Sequence, residues 1–340
     1  MEGPESLSLN YLPENILIDI LSCLGVRDLL RISRVCKKWR RIVQDKKLWV
    51  HVDLSGYSMV SSKVLWLLLR RYLGCGLLSL SLRGQLGSLR KQGLLSPALL
   101  RALSQRCPRL RLLSLTQEDL KGLGSHHQLP ASLRALEMCR CEVPPLFFRA
   151  APQGSVRTGL ETLVLRNVPS FCDSHLKSVA SQVSLKTLVL SGTYRVTDLG
   201  IRDSAESLAQ LSRLELHGCG VSETVLHFVG RHMRKLRALQ LSGLPSLTGA
   251  GLGCISQLPE LETLSLERCR GNGEGAGLLN PEVIVAACRP LPALRTLRLS
   301  QSDFGGPEAI GKVREGLPGC LVTSAPCPSP LVLTPWGTSR

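Results

Sequence analysis

The residues from Arg34 to Ile42 read RVCKKWRRI, five Lys or Arg around one Cys and one Trp. Such residues can grip phosphate through their charges or hold a metal or reactive thiol through the sulfur. They can also form the wet face of a helix whose dry face packs on protein. The spacing chooses among these. Val35, Cys36, Trp39, Ile42 and Val43 fall at i, i+1, i+4, i+7 and i+8, one side of a helix, and the charges at 37, 38, 40 and 41 lie between them. Cys36 therefore reads as packed rather than nucleophilic, and the basic side has no assigned ligand.

Little else in the chain looks like chemistry. It holds no P-loop, G-x-S-x-G or H-E-x-x-H motif. The 13 Cys are odd in number and include no C-x2-C pair, against both a disulfide framework and a zinc site. Cys139 and Cys141 are too close for a zinc knuckle, so the thiols read as mostly buried, in a reducing compartment. His126 and His127 sit in a loop and read as solvated, not ligating. No catalytic residue, metal or cofactor is assigned.

The net charge of +16 favours acidic partners: nucleic acid, an anionic membrane, or an acidic or phosphorylated protein. The charge reads as spread along the chain, and aromatics are only 4%, so the interleaved aromatics that stack on bases are missing. No signal peptide and no apolar run long enough for a membrane span is read. Leu carries the apolar load in 340 residues, which suits helical or repeat packing better than a strand sandwich.

A repeat positions the remaining candidates. L-x-x-L-x-L recurs as LLSLSL at 77, LRLLSL at 110, LRALEM at 133, LETLVL at 160, LKTLVL at 185, LSRLEL at 211, LRALQL at 236, LETLSL at 261 and LRTLRL at 294. The fourth and sixth positions lie two apart on a short strand and face the core, while the third, fifth and seventh face outward. Segments with helical spacing follow, among them SPALLRALSQRC, DSHLKSVASQV, SETVLHFVGRHM and NPEVIVAAC. One unit cannot bury its apolar side alone; stacked units can. The larger polar outward residues are Arg83, Glu137, Arg166, Arg213, Glu215, His217, Gln240, Glu267 and Arg298, set among small ones, and as a group they are the candidate substrate surface. Loops at 83–95, 141–159 and 270–279 are stretched. Phe147 and Phe148 in the second either serve recognition or cover the repeat core.

Residues 12 to 49 do not follow the repeat. Pro13 suits a helix start, and Ile16, Leu17, Ile20, Leu21 and Leu24 mark one helix face. Gly25 can stop that helix and Asp28 can cap the next. Three short helices in about 40 residues cannot bury this much apolar surface among themselves, so part of it should meet a partner.

Leu-Pro-x-Glu, paired apolars, Asp-Leu-Leu, Val-Cys-x-x-Trp and Leu-Trp, in that order, resemble the F-box, with Leu21 where many F-boxes have Phe and Gly25 where many have Pro. The repeats, with Cys141, Cys219 and Cys269 at the ninth position and LVLSGTYRVTDLGI at 188 to 201, are similar to the cysteine-containing leucine-rich repeats of F-box proteins. Asp198 or Thr197 can cap the helix that follows. The chain is thus similar to the F-box/leucine-rich-repeat family. The expected fold is an α/β solenoid: a small all-α F-box, then a curved repeat array with a parallel concave sheet and convex helices. The expected boundaries are a tail at 1–8, the F-box at 9–50, a junction with a capping strand and helix at 51–76, about nine repeats at 77–322, and a disordered Pro/Ser-rich tail at 323–340.

The resemblance implies an F-box docked on the SKP-type adaptor of an SCF ubiquitin ligase, and through it on cullin and RING subunits. By position, Leu12, Pro13, Ile16, Leu17, Ile20, Leu24, Val35, Trp39, Leu48 and Trp49 supply or support that interface, some of them as an internal core. It implies repeats that hold a protein substrate, acidic or phosphorylated on charge grounds, for ubiquitination and usually proteasomal degradation. The chain itself is then a non-catalytic receptor, cytoplasmic or nuclear. The competing readings are an adaptor-bound scaffold without substrate turnover, a basic nucleic-acid-binding solenoid, and a cysteine-dependent transferase.

Overall fold

Within each part of the chain, neighbouring repeats place their buried strand residues, mostly leucines, in register. The computed structural model describes residues 12–57, 60–86, 93–149, 159–244, 247–269, 280–300, 304 and 306–325. Parts of the first two stretched loops, at 87–92 and 150–158, and the whole of the third, at 270–279, lie outside these residues, as does the tail from 326. The chain forms two compact units, Met1–Ser170 and Phe171–Arg340.

The first unit begins with α1 (Glu14–Ser22), α2 (Val26–Ile32), α3 (Lys37–Val43) and a 3-10 turn at Lys46–Trp49. Pro13 and Gly25 are the N-caps of α1 and α2, and Asp28 lies inside the first turn of α2, paired with Arg31 instead of capping. The repeats then supply β1 (His51–Asp53), α4 (Ser62–Arg71), β2 (Ser79–Arg83), α5 (Pro97–Arg106), β3 (Leu112–Thr116), β4 (Ala135–Cys139) and β5 (Thr162–Arg166). These strands pair in parallel, in sequence order. Leu80, Leu113, Leu136 and Leu163 form one row and Leu82, Leu115, Met138 and Leu165 the next, all at most 1% exposed. Each such side chain is stabilised by roughly 1.5–3 kcal/mol relative to exposure.

The second unit repeats the scheme with α6 (Asp173–Gln182), β6 (Thr187–Ser191), α7 (Asp198–Ser204), β7 (Arg213–His217), α8 (Thr224–His232), β8 (Ala238–Ser242), α9 (Gly249–Gly253), β9 (Thr263–Glu267), α10 (Pro281–Cys288), β10 (Thr296–Ser300), α11 (Gly306–Gly316) and β11 (Leu321–Ala325). Its strands are again parallel and consecutive, and Leu188, Leu214, Leu239, Leu264, Leu297 and Val322 form one buried row.

Two devices lock neighbouring repeats together. The first uses the ninth position. The Cys141 thiol donates to the carbonyl of Leu115 at 3.3 Å and the Cys219 thiol to that of Leu190 at 3.6 Å, each crossing to the preceding repeat. Burial pushes the Cys141 thiol up to about 12, so it stays protonated and able to donate. The second device settles the capping alternative. Thr197 caps α7 by accepting from the N–H of Leu199. Asp198 instead reaches the next repeat, where its carboxylate accepts from Ser222 N–H at 3.0 Å and Ser222 O–H at 2.7 Å. Asp173 binds Thr197 in the same way, and Glu223 binds Thr248. A Cβ at Gly200 would come within 2.1 Å of the Asp173 carboxylate, which accounts for the glycine in Thr-Asp-x-Gly.

Two sequence expectations change. His126, read as solvated, is only 3% exposed, and its Nδ1 lies 2.9 Å from the carbonyl of Phe147. Burial drives its pKa down to about 4. Phe147 and Phe148 are both 0% exposed, so of their two readings they cover the core. In both cases one repeat has a 3-10 turn at His126–Gln128 in place of an α-helix, and tilted and edge-on ring contacts pack beside it.

Glu118 takes the ninth position that Cys141 holds in the next repeat, and it is 2% exposed. Its carboxylate accepts the N–H of Leu95 at 2.9 Å, at the α5 end of the β2–α5 loop, and a Cβ at Gly84 or Gly93 would run into it. Burial, partly offset by the backbone donors at Leu95 and Leu94, raises its pKa from 4.5 to about 7. The folded chain therefore keeps a proton that the unfolded chain has released between those values. Stability is expected to fall as pH rises through that window, by up to roughly 3 kcal/mol. Urea titrations from pH 4.5 to 7.5 should show Glu118→Gln gaining on the parent as pH rises; parallel curves would rule this out.

Candidate functional site

The α1 helix carries two apolar stripes on different faces. Leu17 and Leu21 are 1% and 3% exposed and pack inward, whereas Ile16 and Ile20, each one residue earlier, are 41% and 46% exposed. A helix with 3.6 residues per turn turns adjacent positions by about 100°, so both pairs are stripes in their own right. The α1 helix packs on α3 and on the turn at 46–49, and Glu14 and Arg41 join α1 to α3 by an ion pair. Beside the open stripe stand exposed Pro13 and half-buried Leu12 and Leu24.

The basic stretch divides differently from its sequence pattern. The α3 helix starts at Lys37, so Val35 and Cys36 precede it and do not continue its buried face. Ile42 and Val43 are buried, Trp39 is half-buried, and Val35 is 70% exposed. Cys36, read as packed, is exposed and acts as N-cap, with its Sγ 3.5 Å from the Trp39 N–H. Open apolar side chains are thus presented from α1 and from the α2–α3 link. Their opposite faces form a small core with Leu29, Leu48 and Trp49.

Leu17, Leu48 and Trp49, placed by sequence with the interface, are 1%, 8% and 1% exposed and can only support it. Trp49 joins this module to the repeats. Its Nε1–H donates to the carbonyl of Val43 at 2.6 Å, and its ring stacks on Tyr72, 4.6 Å between centroids, at the end of α4. Sequence reasoning missed Tyr72; its one signal was an aromatic closing the helical run LWLLLRRY.

The second candidate surface is the outward strand rows. In the first unit, Arg83 donates to Gln117 Oε1 at 2.9 Å, and Glu137 and Arg166 are half-buried. In the second, Arg213 donates to Glu215 at 2.6 Å, and His217 lies 3.5 Å from the same carboxylate. Burial acts to raise the Glu215 carboxyl, but the bond from His217 and the charge of Arg213 outweigh it and hold it below the usual range. Gln240 and Ser265 both donate to Glu267, and Arg298 is exposed. Val164, Val189 and Ser265, all outward by spacing, are covered because their strand neighbours carry longer side chains.

Charge on these rows is balanced. Asp53, Arg83, Glu137 and Arg166 in the first unit, and Arg213, Glu215, Glu267 and Arg298 in the second, pair two acids with two bases each. The net charge of the chain therefore lies elsewhere. Among the described residues, no group of three or more His, Cys, Asp or Glu could hold a metal ion, and no helix is long and apolar enough to cross a membrane.

Residues 9–55 match the F-box-like family model. The chain is 41% identical over 322 residues to F-box/LRR-repeat protein 12 of Homo sapiens, covering 94% of this chain and 97% of that protein. Identity to F-box/LRR-repeat protein 12 of Mus musculus is 40% over 318 residues, covering 93% and 96%. Among solved structures, the Rad7 and Elc1 complex in yeast overlaps with a TM-score of 0.43 at 17% identity, over 88% of this chain and 77% of that one.

Proposed function

The chain belongs to the F-box/leucine-rich-repeat family, and from that premise we propose that it is the substrate-recognition subunit of an SCF ubiquitin ligase. Members of this family generally serve as substrate receptors. The observation that carries the reading is the open Ile16–Ile20 stripe beside a closed Leu17–Leu21 stripe. An F-box module that kept to itself would have no use for the first. In this reading the stripe, with Leu12, Pro13, Leu24, Val35 and Trp39, seats the SKP-type adaptor, which brings cullin and RING subunits in the cytoplasm or nucleus.

The strand rows then hold a protein substrate. Small residues let another backbone approach, while the Arg213–Glu215–His217 and Gln240–Glu267 groups fix register. The chain performs no transfer itself. A conjugating enzyme elsewhere in the assembly does so, and the gain in rate comes from proximity.

The test compares partners of the full chain and an Ile16→Asp/Ile20→Asp variant in cells with the proteasome blocked. The variant should lose the adaptor yet keep the repeat-bound proteins, whose half-lives lengthen once the block is lifted. If those proteins turn over equally fast with the variant, the chain is an adaptor-bound scaffold. If the adaptor stays bound, the assignment of the α1 face is wrong.

A further inference from the structure

From Leu54 to Gln117 the chain holds ten Lys or Arg and no Asp or Glu, so this run alone supplies ten of its sixteen net positive charges. The charge, read as spread along the chain and not blocked into one tail, is thus concentrated in an internal run. Five of the ten, Lys63, Arg70, Arg71, Arg101 and Arg106, lie on the adjacent helices α4 and α5, and all five are exposed. By contrast, α6, α7, α10 and α11 each carry an acid in the first turn.

We propose that the outer face of α4 and α5 is a docking surface for an acidic protein segment that also carries apolar side chains. None of the five cations is ion-paired among the described residues. Like charges on neighbouring helices repel, and no acid on either helix offsets that cost. Three are held in place, and one of them, Arg101, donates to the carbonyl of Pro97 at 3.4 Å. Arg106 donates to the carbonyl of Arg70 at 3.2 Å, linking the helices, and the Arg70 guanidinium lies over the Trp66 ring at 5.9 Å.

The same face is partly apolar. Lys63, Val64, Leu67, Arg70 and Arg71 fall at i, i+1, i+4, i+7 and i+8, one side of α4, and Val64 and Leu67 are 40% and 45% exposed. Leu65, Leu68 and Leu69, on the other side, are 0% exposed.

This combination selects the occupant. A nucleic-acid backbone would use the cations but leave Val64 and Leu67 idle, and the Trp66 face needed for base stacking is covered by Arg70. A membrane-binding helix sinks its apolar face about 5–10 Å into the lipid boundary. The α4 helix is wedged into the core by its leucines, and Val64 and Leu67 stand less than half clear of it. An acidic segment with Leu or Phe side chains satisfies both the charge and the apolar patch. The surface is separate from both the α1 stripe and the strand rows, so it does not depend on the adaptor reading.

A synthetic peptide with Leu at helical spacing and Glu between, labelled for fluorescence anisotropy, serves as the probe against the full chain. Binding should weaken with salt, and Arg70→Glu/Arg71→Glu/Arg101→Glu should weaken it roughly tenfold or more. Leu67→Ser should weaken it severalfold, while Lys235→Glu, at an exposed cation far along the sequence, should not. Arg101→Glu alone keeps the test readable if the triple variant fails to fold. Equal peptide binding by parent and variants would overturn the proposal. So would tighter binding, through the same residues, of duplex DNA or of vesicles containing phosphatidylserine.

Discussion

Replacing Ile16 and Ile20 together by Asp is expected to lower adaptor affinity at least roughly a thousandfold while leaving the melting temperature of the chain nearly unchanged. Each Ile buried on a partner is worth roughly 1.5–3 kcal/mol against exposure. Each Asp would also strip an unpaired carboxylate of water, at a further cost of several kcal/mol unless it takes up a proton. Every 1.4 kcal/mol is about tenfold, so even the lower figures reach the stated loss. The folded chain alone loses little, because both side chains are already 41% and 46% exposed. Leu17→Asp, one position away and 1% exposed in the parent, is the contrast: it should unfold the module and abolish binding indirectly. Isothermal titration with purified adaptor, beside thermal melts of all three chains, separates the two effects. Unchanged affinity in the double variant would mean that the α1 stripe is not the adaptor surface.

The contrast between Ile16 and Leu17 also shows where sequence pattern stops. Helical spacing put Ile16, Leu17, Ile20, Leu21 and Leu24 on one broad apolar side, but hydrophobicity does not say which part of such a side meets the chain's own core. Packing against α3 and the turn at 46–49 decided that. Repeat strands were the legible part, because a period-2 pattern repeated nine times over admits one register. The link between repeats was less so. Asp198 looked like a cap, and only the stacking distance shows that it reaches Ser222 in the next unit. Cys36 was misplaced because its apolar series runs across the start of α3, where the chain is not yet helical. The acid-free run from Leu54 was visible in the letters alone, but exposure on two touching helices gives it meaning.

Trp49→Ala should be the most destabilising single change at the junction, by about 3–5 kcal/mol, the usual cost of truncating a buried aromatic. The indole is 1% exposed, bonded to Val43 on one side and stacked on Tyr72 on the other, so its loss opens a cavity between the helical module and the first repeat. Trp49→Phe distinguishes the two contributions. It keeps an aromatic face against Tyr72 but leaves the Val43 carbonyl without its indole donor, an expected loss of about 1–3 kcal/mol. Urea denaturation should therefore order the chains as parent, Trp49→Phe, Trp49→Ala. Limited proteolysis near residues 44–60 should accelerate in the same order, since cleavage tracks opening of the junction. The resemblance placed Trp49 with the adaptor contacts, and its burial predicts a different outcome. Folded Trp49→Phe should bind the adaptor within about threefold of the parent, because no indole atom is free to reach a partner. A much larger loss of affinity in a chain that still melts cooperatively would mean that the module opens at this joint when the adaptor binds.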